Sequence, residues 1–178
     1  MPRPRLAAAV VACALALGGC GSSGSEPPSR QEAIGARLSA GDCARLAATV
    51  ARQTGRPERH QSEPTAPNSR CEVEGRGFHV SMTLDSAHEA RRRYSNRMVE
   101  QVQFNASDPA KVPHAVAGVG DESAYNHYAS WIPAYSTLYA VRGNRWITLA
   151  YSVAGEPRPQ RLRQAAALTR QGFRLSAR

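Results

Sequence analysis

Apolar residues recur at helical spacing in three segments of the chain, and each segment has its own initiation signal. Asp42 precedes the first segment and Gly55 follows it, which predicts a helix capped by an aspartate and stopped by a glycine. The run Ser86-Ala87-His88-Glu89 has the capping-box pattern that opens a second helix, and Pro157 suits the start of a third. The predicted buried positions are, helix by helix, Leu46, Ala47 and Val50; Ala87, Ala90, Tyr94, Met98 and Val102; and Leu162, Ala165, Ala166, Thr169 and Phe173.

Alternating apolar and polar residues predict the strands. Residues 78–84 alternate strictly, which is typical of a half-buried strand, and Cys71 opens the strand before it. Residues 122–128 form a further strand. A hairpin follows over residues 137–153, with Gly143-Asn144 as its two-residue turn.

The order of these elements favours an α+β fold. Helix, two strands, helix, about three strands and a last helix follow one another, and hairpins dominate the connections. We predict an antiparallel sheet of about five strands with three helices packed mainly on one face. Residues 56–69 contain three prolines and are predicted to be a loop, while residues 104–118 follow no regular period.

The first nineteen residues have the pattern of a bacterial signal peptide. Arg3 and Arg5 form a short basic start, and the uncharged apolar run that follows falls short of the ~20 residues needed to span a bilayer. The run ends in Leu17-Gly18-Gly19-Cys20, which resembles a lipobox. This resemblance implies cleavage before Cys20 and a diacylglycerol on its sulfur. An ordinary secretory signal with an incidental Cys20, and a retained membrane helix, are the two alternatives.

Residues 20–40 are interpreted as the lipidated cysteine followed by a disordered tether. Small polar residues and paired prolines cannot bury enough apolar surface to become ordered. A flexible coil of ~20 residues would hold a domain on the order of 25 Å from its anchor. A short helix over residues 32–38 is the alternative. Residues 41–178 then form a single extracytoplasmic domain, long enough for a core of its own.

Two cysteines remain once the signal and the anchor are set aside. Cys43 and Cys71 form an even pair in an oxidising compartment, and such a pair predicts one intrachain disulfide. Neither cysteine belongs to a Cys-x-x-Cys motif, which argues against a metal site.

The chain is strongly basic, with a formal net charge of +9. Export argues against nucleic acid as the partner, and so does the nature of the charge, since Lys111 is the single lysine among 23 basic residues. Such a bias is typical of a GC-rich genome. Attraction to anionic lipid headgroups or wall polymers is one use of this charge, and a solvated basic surface is the other interpretation.

Several short motifs together resemble a known family. The lipobox, the polar tether, Asp42-Cys43 at a helix start, a second cysteine in a strand, the run 118–125 (Gly-Val-Gly-Asp-Glu-Ser-Ala-Tyr) and the late hairpin are similar to those of an actinobacterial lipoprotein family. That family is known only as domain of unknown function 3558 (DUF3558). The resemblance covers about residues 17–175. It implies a place on the extracytoplasmic face of the cell membrane and an α+β domain, and it implies no activity.

No motif of catalysis stands out. The sequence has no nucleophile elbow, no zinc-protease helix and no phosphate-binding glycine loop. The run Gly118-Val119-Gly120-Asp121-Glu122 could bind an anion or a metal, but we favour a tight turn leading into the next strand. The five histidines are scattered, and His79 can contact Glu72 or Glu74 across neighbouring strands. We therefore assign no catalytic residue, no metal and no cofactor.

The aromatic residues are unevenly distributed. Of the eleven Phe, Trp and Tyr residues, seven lie close together in the chain: Tyr125, Tyr128, Trp131, Tyr135, Tyr139, Trp146 and Tyr151. Trp131 falls in a predicted loop, and the hairpin register places Tyr139 and Trp146 on the face opposite Leu138 and Ile147.

Trp131, Tyr139 and Trp146 are candidates for a ligand or partner surface, although packing onto the sheet is the more common role of such aromatics. The leading hypothesis is a non-catalytic, membrane-anchored binding or accessory module for an envelope protein or an apolar small molecule. The alternative hypothesis is an envelope hydrolase that acts on peptidoglycan or lipid.

Overall fold

The computed structural model describes residues 36–56, 58–63, 68–128 and 134–177. The predicted signal peptide and Cys20 lie outside these residues, as does Trp131. The elements in chain order are α1 (Ala40–Thr54), β1 (Arg59–Glu63), β2 (Asn68–Gly75), β3 (Phe78–Ser86), α2 (Ala90–Phe104), a short 3-10 helix (Pro109–Lys111), β4 (His114–Ala115), β5 (Glu122–Tyr128), β6 (Tyr135–Arg142), β7 (Arg145–Val153) and α3 (Arg158–Leu175). In this described part of the chain, no helix has the length and apolar character needed to cross a membrane.

The strands form one open antiparallel sheet in the order β1-β2-β3-β7-β6-β5-β4. The α+β class is confirmed, with seven strands instead of about five. The extra strands are β1, in the predicted loop, and β4, in the stretch without a period. Four of the five residues of β1 are exposed, so an edge strand of this kind has no apolar alternation to reveal it.

The start of α1 differs from the prediction by three residues. Ser39 is the N-cap, and its hydroxyl accepts from the Asp42 amide at 3.1 Å. Asp42 is the third helical residue, and its carboxylate accepts from the Ser39 amide at 3.0 Å. This reciprocal capping box satisfies two amides that the helix leaves unpaired. Gly55 ends the helix as predicted, with a left-handed φ of 66°.

The predicted capping box of α2 is wrong. Ser86 is the last residue of β3, and its hydroxyl donates to the carbonyl of Ala36 at 2.6 Å. The helix begins at Ala90 without a side-chain cap. Ala90 and Tyr94 are buried as predicted, whereas Val102 is 46% exposed. Gln101 takes the buried position in the last turn.

The late hairpin and α3 follow the prediction closely. Strands β6 and β7 pair in the register that places Leu138 opposite Leu149, and Gly143 has a φ of 55°. A positive φ at the first turn position alone is typical of a type II′ turn, which fits the twist of a hairpin. Pro157 precedes α3, whose apolar side is buried.

The sheet has two unlike faces. We call the face covered by α1 and α3 the main face, and the opposite one the second face. The main face and the two helices form one continuous core that runs from Leu38 to Leu175. Helix α2 packs on the second face, against β6 and β7. Two of the three helices thus share a face, because α2 is inserted between strands and crosses to the other side.

The predicted disulfide between Cys43 and Cys71 is confirmed. It joins the first turn of α1 to the middle of β2, and both residues are almost fully buried. The bond therefore fixes α1 on the main face.

Candidate functional site

A groove of about 710 Å³ lies on the second face, between the C-terminal half of α2 and strands β5 to β7. We call it the tyrosine groove. The side chains that line it from the strands are those of Tyr128, Tyr135, Thr137, Tyr139, Thr148 and Ala150. On the helix side it is lined by Arg97, Gln101 and Phe104, and by polar residues of the segment that follows α2, including Asp108 and Lys111.

Two of the tyrosines stack on each other beside the groove. The ring centroids of Tyr128 and Tyr135 are 4.6 Å apart, and the ring planes differ by 17°. They are cross-strand partners at the end of the β5–β6 pair. Directly opposed residues of two strands bring their side chains closest together on one face of the sheet. Stacked rings present a flat apolar surface of fixed orientation to anything that enters the groove.

Behind this stack lies a buried network of three side chains. The Asn126 amide donates to the Tyr128 hydroxyl at 2.8 Å and to Gln101 Oε1 at 3.3 Å. The Tyr128 hydroxyl in turn donates to Gln101 Oε1 at 3.2 Å. Asn126 Oδ1 is buried and has no hydrogen-bond partner within the described residues. The network fixes the side chains of Gln101 and Tyr128, and it leaves one amide oxygen unused.

The groove offers neutral hydrogen-bonding groups. Burial raises the pKa of Tyr139, and the nearby Tyr128 raises it further. The pKa of Tyr135 is raised for the same two reasons, in the same order. Both phenols are therefore protonated at neutral pH and can donate.

The charged side chains that line the groove are already paired. Arg97 binds Glu100 at 3.1 Å, and Lys111 binds Asp108 at 2.9 Å. Phe104 is the most exposed large apolar side chain of the described residues, at 81%. The lining thus combines aromatic rings, hydroxyls and amides with little unbalanced charge, which suits a neutral or apolar ligand.

Of the three predicted surface residues, one lines the groove, one packs between α2 and the sheet, and one lies outside the described residues. Tyr139 lines the groove. Trp146 packs beside Tyr94, Val141 and Met98 in a small cluster between α2 and the sheet, and its buried indole N–H has no partner within the described residues. Trp131 lies outside the described residues, and its role stays a prediction.

Gln101 and Phe104 were not predicted to belong to a site. The predicted apolar stripe of α2 placed Val102 in the last buried position instead. Gln101 occupies the side of the helix that Tyr94 also occupies, seven residues earlier, and a glutamine there is the signal that could have found it. A polar side chain on a buried helix face needs a partner on the sheet.

The run 118–122 forms a turn, as favoured. The Asp121 amide donates to the Val141 carbonyl at 2.7 Å, and the Asp121 carboxylate accepts from the Gly143 amide at 2.8 Å. Arg91 binds both Asp121 and Glu122. These carboxylates are therefore occupied, and the described residues contain no group of three or more His, Cys, Asp or Glu side chains that could hold a metal.

A Ser–His contact on the main face tests the hydrolase alternative. His127 Nδ1 lies 3.0 Å from the hydroxyl oxygen of Ser136. Arg161 approaches the other ring nitrogen, Nε2, at 3.4 Å, and a guanidinium can only donate. In the tautomer in which Nε2 accepts from Arg161, Nδ1 carries the proton and donates to the Ser136 oxygen, and this arrangement does not activate the serine. Ser136 is also fully buried, which argues against a nucleophile.

A buried carboxyl near the start of α3 makes stability depend on pH. Burial raises the pKa of Glu156, and its buried Oε2 has no hydrogen-bond partner within the described residues. Since ionisation is harder in the folded state, the contribution of Glu156 to stability falls as the pH rises through its folded pKa. We expect Glu156→Gln to be more stable than the parent at pH 7, with the difference shrinking towards pH 4, in urea unfolding across this range.

The exposed Glu63 supplies the matched control, because Glu63→Gln changes the net charge equally. A Glu156→Gln variant that is less stable than the parent at pH 7 would contradict this assignment.

The pKa of His127 is lowered by burial in the first place, and the positive charges of Arg161 and Arg158 lower it further. Because the pKa of His127 is lower in the folded state than in the unfolded chain, its contribution to stability is lost as the pH falls below the unfolded pKa of about 6.5.

Comparisons of the chain with protein-family models, with curated proteins and with solved structures returned no match.

Proposed function

We propose that this protein is a lipoprotein anchored through Cys20 on the extracytoplasmic face of the cell membrane, whose domain binds a small envelope molecule without catalysis. The ligand site is the tyrosine groove. The lipobox and tether of the sequence support the anchor, and the Cys43–Cys71 disulfide is in keeping with an oxidising compartment. The proposed location depends on the first twenty residues of the chain, whereas the resemblance to the DUF3558 family rests on motifs spread over about residues 17–175.

The observation that carries the ligand proposal is a groove of ligand size with an ordered polar side. Sites for small molecules have volumes of roughly 300–1,000 Å³ and combine apolar walls with a few fixed polar groups. The tyrosine groove, at about 710 Å³, has the Tyr128–Tyr135 stack and the amide of Gln101, which the Asn126 network holds in place. Such a surface stacks a ring or a flat apolar group and orients it through hydrogen bonds.

The charge of the groove narrows the ligand class. Arg97 and Lys111 are paired with acidic neighbours within reach, so an anion would have to compete with a carboxylate for each of them. The tyrosine phenols are neutral donors. We therefore propose a neutral molecule with an apolar or ring-shaped part and peripheral hydrogen-bonding groups.

A variant that fills the groove tests this function. Thr148 lines the groove from β7, and Thr148→Trp would place an indole where the ligand lies. Gln61 lies on β1, on the same face but away from the groove, so Gln61→Trp is the matched control. Native mass spectrometry of protein purified from its own host is expected to show a bound small molecule with the parent and with Gln61→Trp, and to show none with Thr148→Trp.

Two results would overturn the proposal. One is protein mass alone in all three samples, and the other is an adduct that Thr148→Trp retains. The same spectra report the anchor separately, since the expected mature chain begins at Cys20 and carries a diacylglycerol. A chain that keeps its first nineteen residues would contradict the anchor and leave the groove to be judged by itself.

A further inference from the structure

The basic charge of this protein is concentrated in one layer of the fold. The chain has 23 arginine and lysine residues against 14 carboxylates. Helices α1 and α3 together hold seven of the arginines and a single acidic residue, Asp42. These two helices form the outer layer of the main face, so most of the net charge lies on that side of the domain.

Helix α3 contributes an ordered row of this charge. Arg170 and Arg174 lie seven and eleven residues after Arg163. This spacing places all three on one side of the helix over a length of ~16 Å. We call these three the basic stripe. Helix α3 has no acidic residue, and none of its arginines forms an ion pair with any described residue. Arg170 donates weakly to the Gly118 carbonyl at 3.4 Å.

The segment that enters the domain at Ala36 lies at the same end of the sheet as Arg174, the last residue of the basic stripe. The Ala36 carbonyl accepts from the hydroxyl of Ser86, and Ser86 is the cross-strand partner of Arg145. Arg145 in turn donates to the carbonyl of Phe173 at 2.8 Å, one residue before Arg174. The point from which the predicted tether leaves and the C-terminal end of α3 are thus neighbours at one end of the sheet.

We infer that this end of the domain, with the basic stripe, docks on the anionic lipid surface of the membrane. The inference rests on the proposed anchor at Cys20. Ala36 is sixteen positions after Cys20, and a flexible chain of that length has an end-to-end distance of roughly 20 Å. The tether therefore lets this end of the domain reach the headgroups, and attraction by anionic lipid holds the nearest arginines there once they come within a Debye length of the surface.

The anchored end also explains why the membrane is the partner that fits best. A soluble polyanion could bind any basic surface of the domain, wherever that surface faced. Here Arg170 and Arg174, which form no ion pair with a described residue, lie at the end that the anchor pulls towards the bilayer, and the Arg142 guanidinium lies 5.1 Å from the centre of the Phe173 ring beside them. The tyrosine groove is on the opposite face of the sheet, so docking through α3 leaves it open to a ligand.

Vesicle binding by the unlipidated chain from residue 21 onward tests the inference, since this chain keeps every residue of the core from Leu38 to Leu175. We expect this chain to sediment with phosphatidylglycerol vesicles at low salt, to be released by salt, and to ignore phosphatidylcholine vesicles. Each arginine near an anionic surface strengthens binding roughly fivefold. Arg163→Gln/Arg170→Gln/Arg174→Gln should therefore weaken partitioning on the order of one hundredfold.

A second triple variant removes the same charge at the other end of the domain. Arg59, Arg76 and Arg158 are exposed and have no ion pair to a described residue. Their replacement by glutamine is expected to weaken partitioning less than tenfold. Thermal unfolding of both triple variants verifies that each is folded.

Three outcomes would overturn the inference: no binding to phosphatidylglycerol vesicles, equal losses in the two triple variants, or binding of soluble polyphosphate without binding of vesicles. The last would assign the stripe to a wall-type polyanion. Because the chain in this assay has no lipid and its groove is unchanged, these outcomes are independent of the anchor and of ligand binding.

Discussion

Replacing Cys43 and Cys71 together by alanine is expected to lower the free energy of unfolding by about 3.5 kcal/mol. The two residues are 28 positions apart, so the bond closes a long loop in the unfolded chain and removes much of its conformational freedom. Urea unfolding monitored by tryptophan fluorescence measures the change. The slope of free energy against urea should also increase, because an unfolded chain without the cross-link exposes more surface.

Each single cysteine variant serves as a control for this effect. Cys43→Ala and Cys71→Ala break the same bond, so each should lose about as much stability as the double variant. A double variant within 1 kcal/mol of the parent would contradict a stabilising role of the bond. Losses of very different size in the two single variants would instead assign the effect to packing of the individual side chains, both of which are buried.

Gly120→Ala is expected to cost about 2–3 kcal/mol, the upper part of the range typical of forced overpacking. A Cβ at this position would lie 2.4 Å from the Val141 carbonyl oxygen, which is backbone and cannot rotate away. The same carbonyl accepts from the Asp121 amide, so moving it weakens the hydrogen bond that joins the 118–122 turn to β6. Thermal and urea unfolding measure the loss.

Gly41→Ala is the control for the general effect of removing a glycine. Gly41 lies in the first turn of α1, and the nearest atom to its Cβ would be the Ser39 hydroxyl oxygen at an ordinary 3.8 Å. This substitution should stabilise the protein by about 0.5 kcal/mol, because alanine restricts the unfolded chain and favours a helix. If Gly120→Ala were as well tolerated as Gly41→Ala, the close approach of the turn to Val141 would be wrong.

Local patterns predicted those parts of the fold in which one face of an element is buried and the next residues are polar. Strand β5 has the predicted bounds, and the β6–β7 turn lies at the predicted Gly143-Asn144. The period-two alternation fixes which side chains share a face, so Tyr139 and Trp146 were correctly separated from Leu138 and Ile147.

Local patterns did not identify the N-caps of α1 and α2, because each region contains more than one signal for where an element begins or ends. Ser39 and Asp42 are three residues apart and form one reciprocal motif, in which the serine is the cap and the aspartate its partner. Ser86 has a side chain suited to a helix cap, but it is the last residue of β3 and is paired with Arg145 of β7. Its backbone therefore belongs to the strand and not to the helix. Such outcomes depend on partners that lie far away in the sequence.

The sequence by itself determined the α+β class, the faces of the central strands and the disulfide, because each depends on residue periodicity or on the number of available cysteines. It is also the sole basis for the anchor that we propose at Cys20. Only the tertiary structure decided that α2 crosses to the second face and forms a groove there. The physical reason is distance along the chain: Gln101 meets Asn126 and Tyr128 across 25 and 27 residues, and no local pattern encodes such a contact.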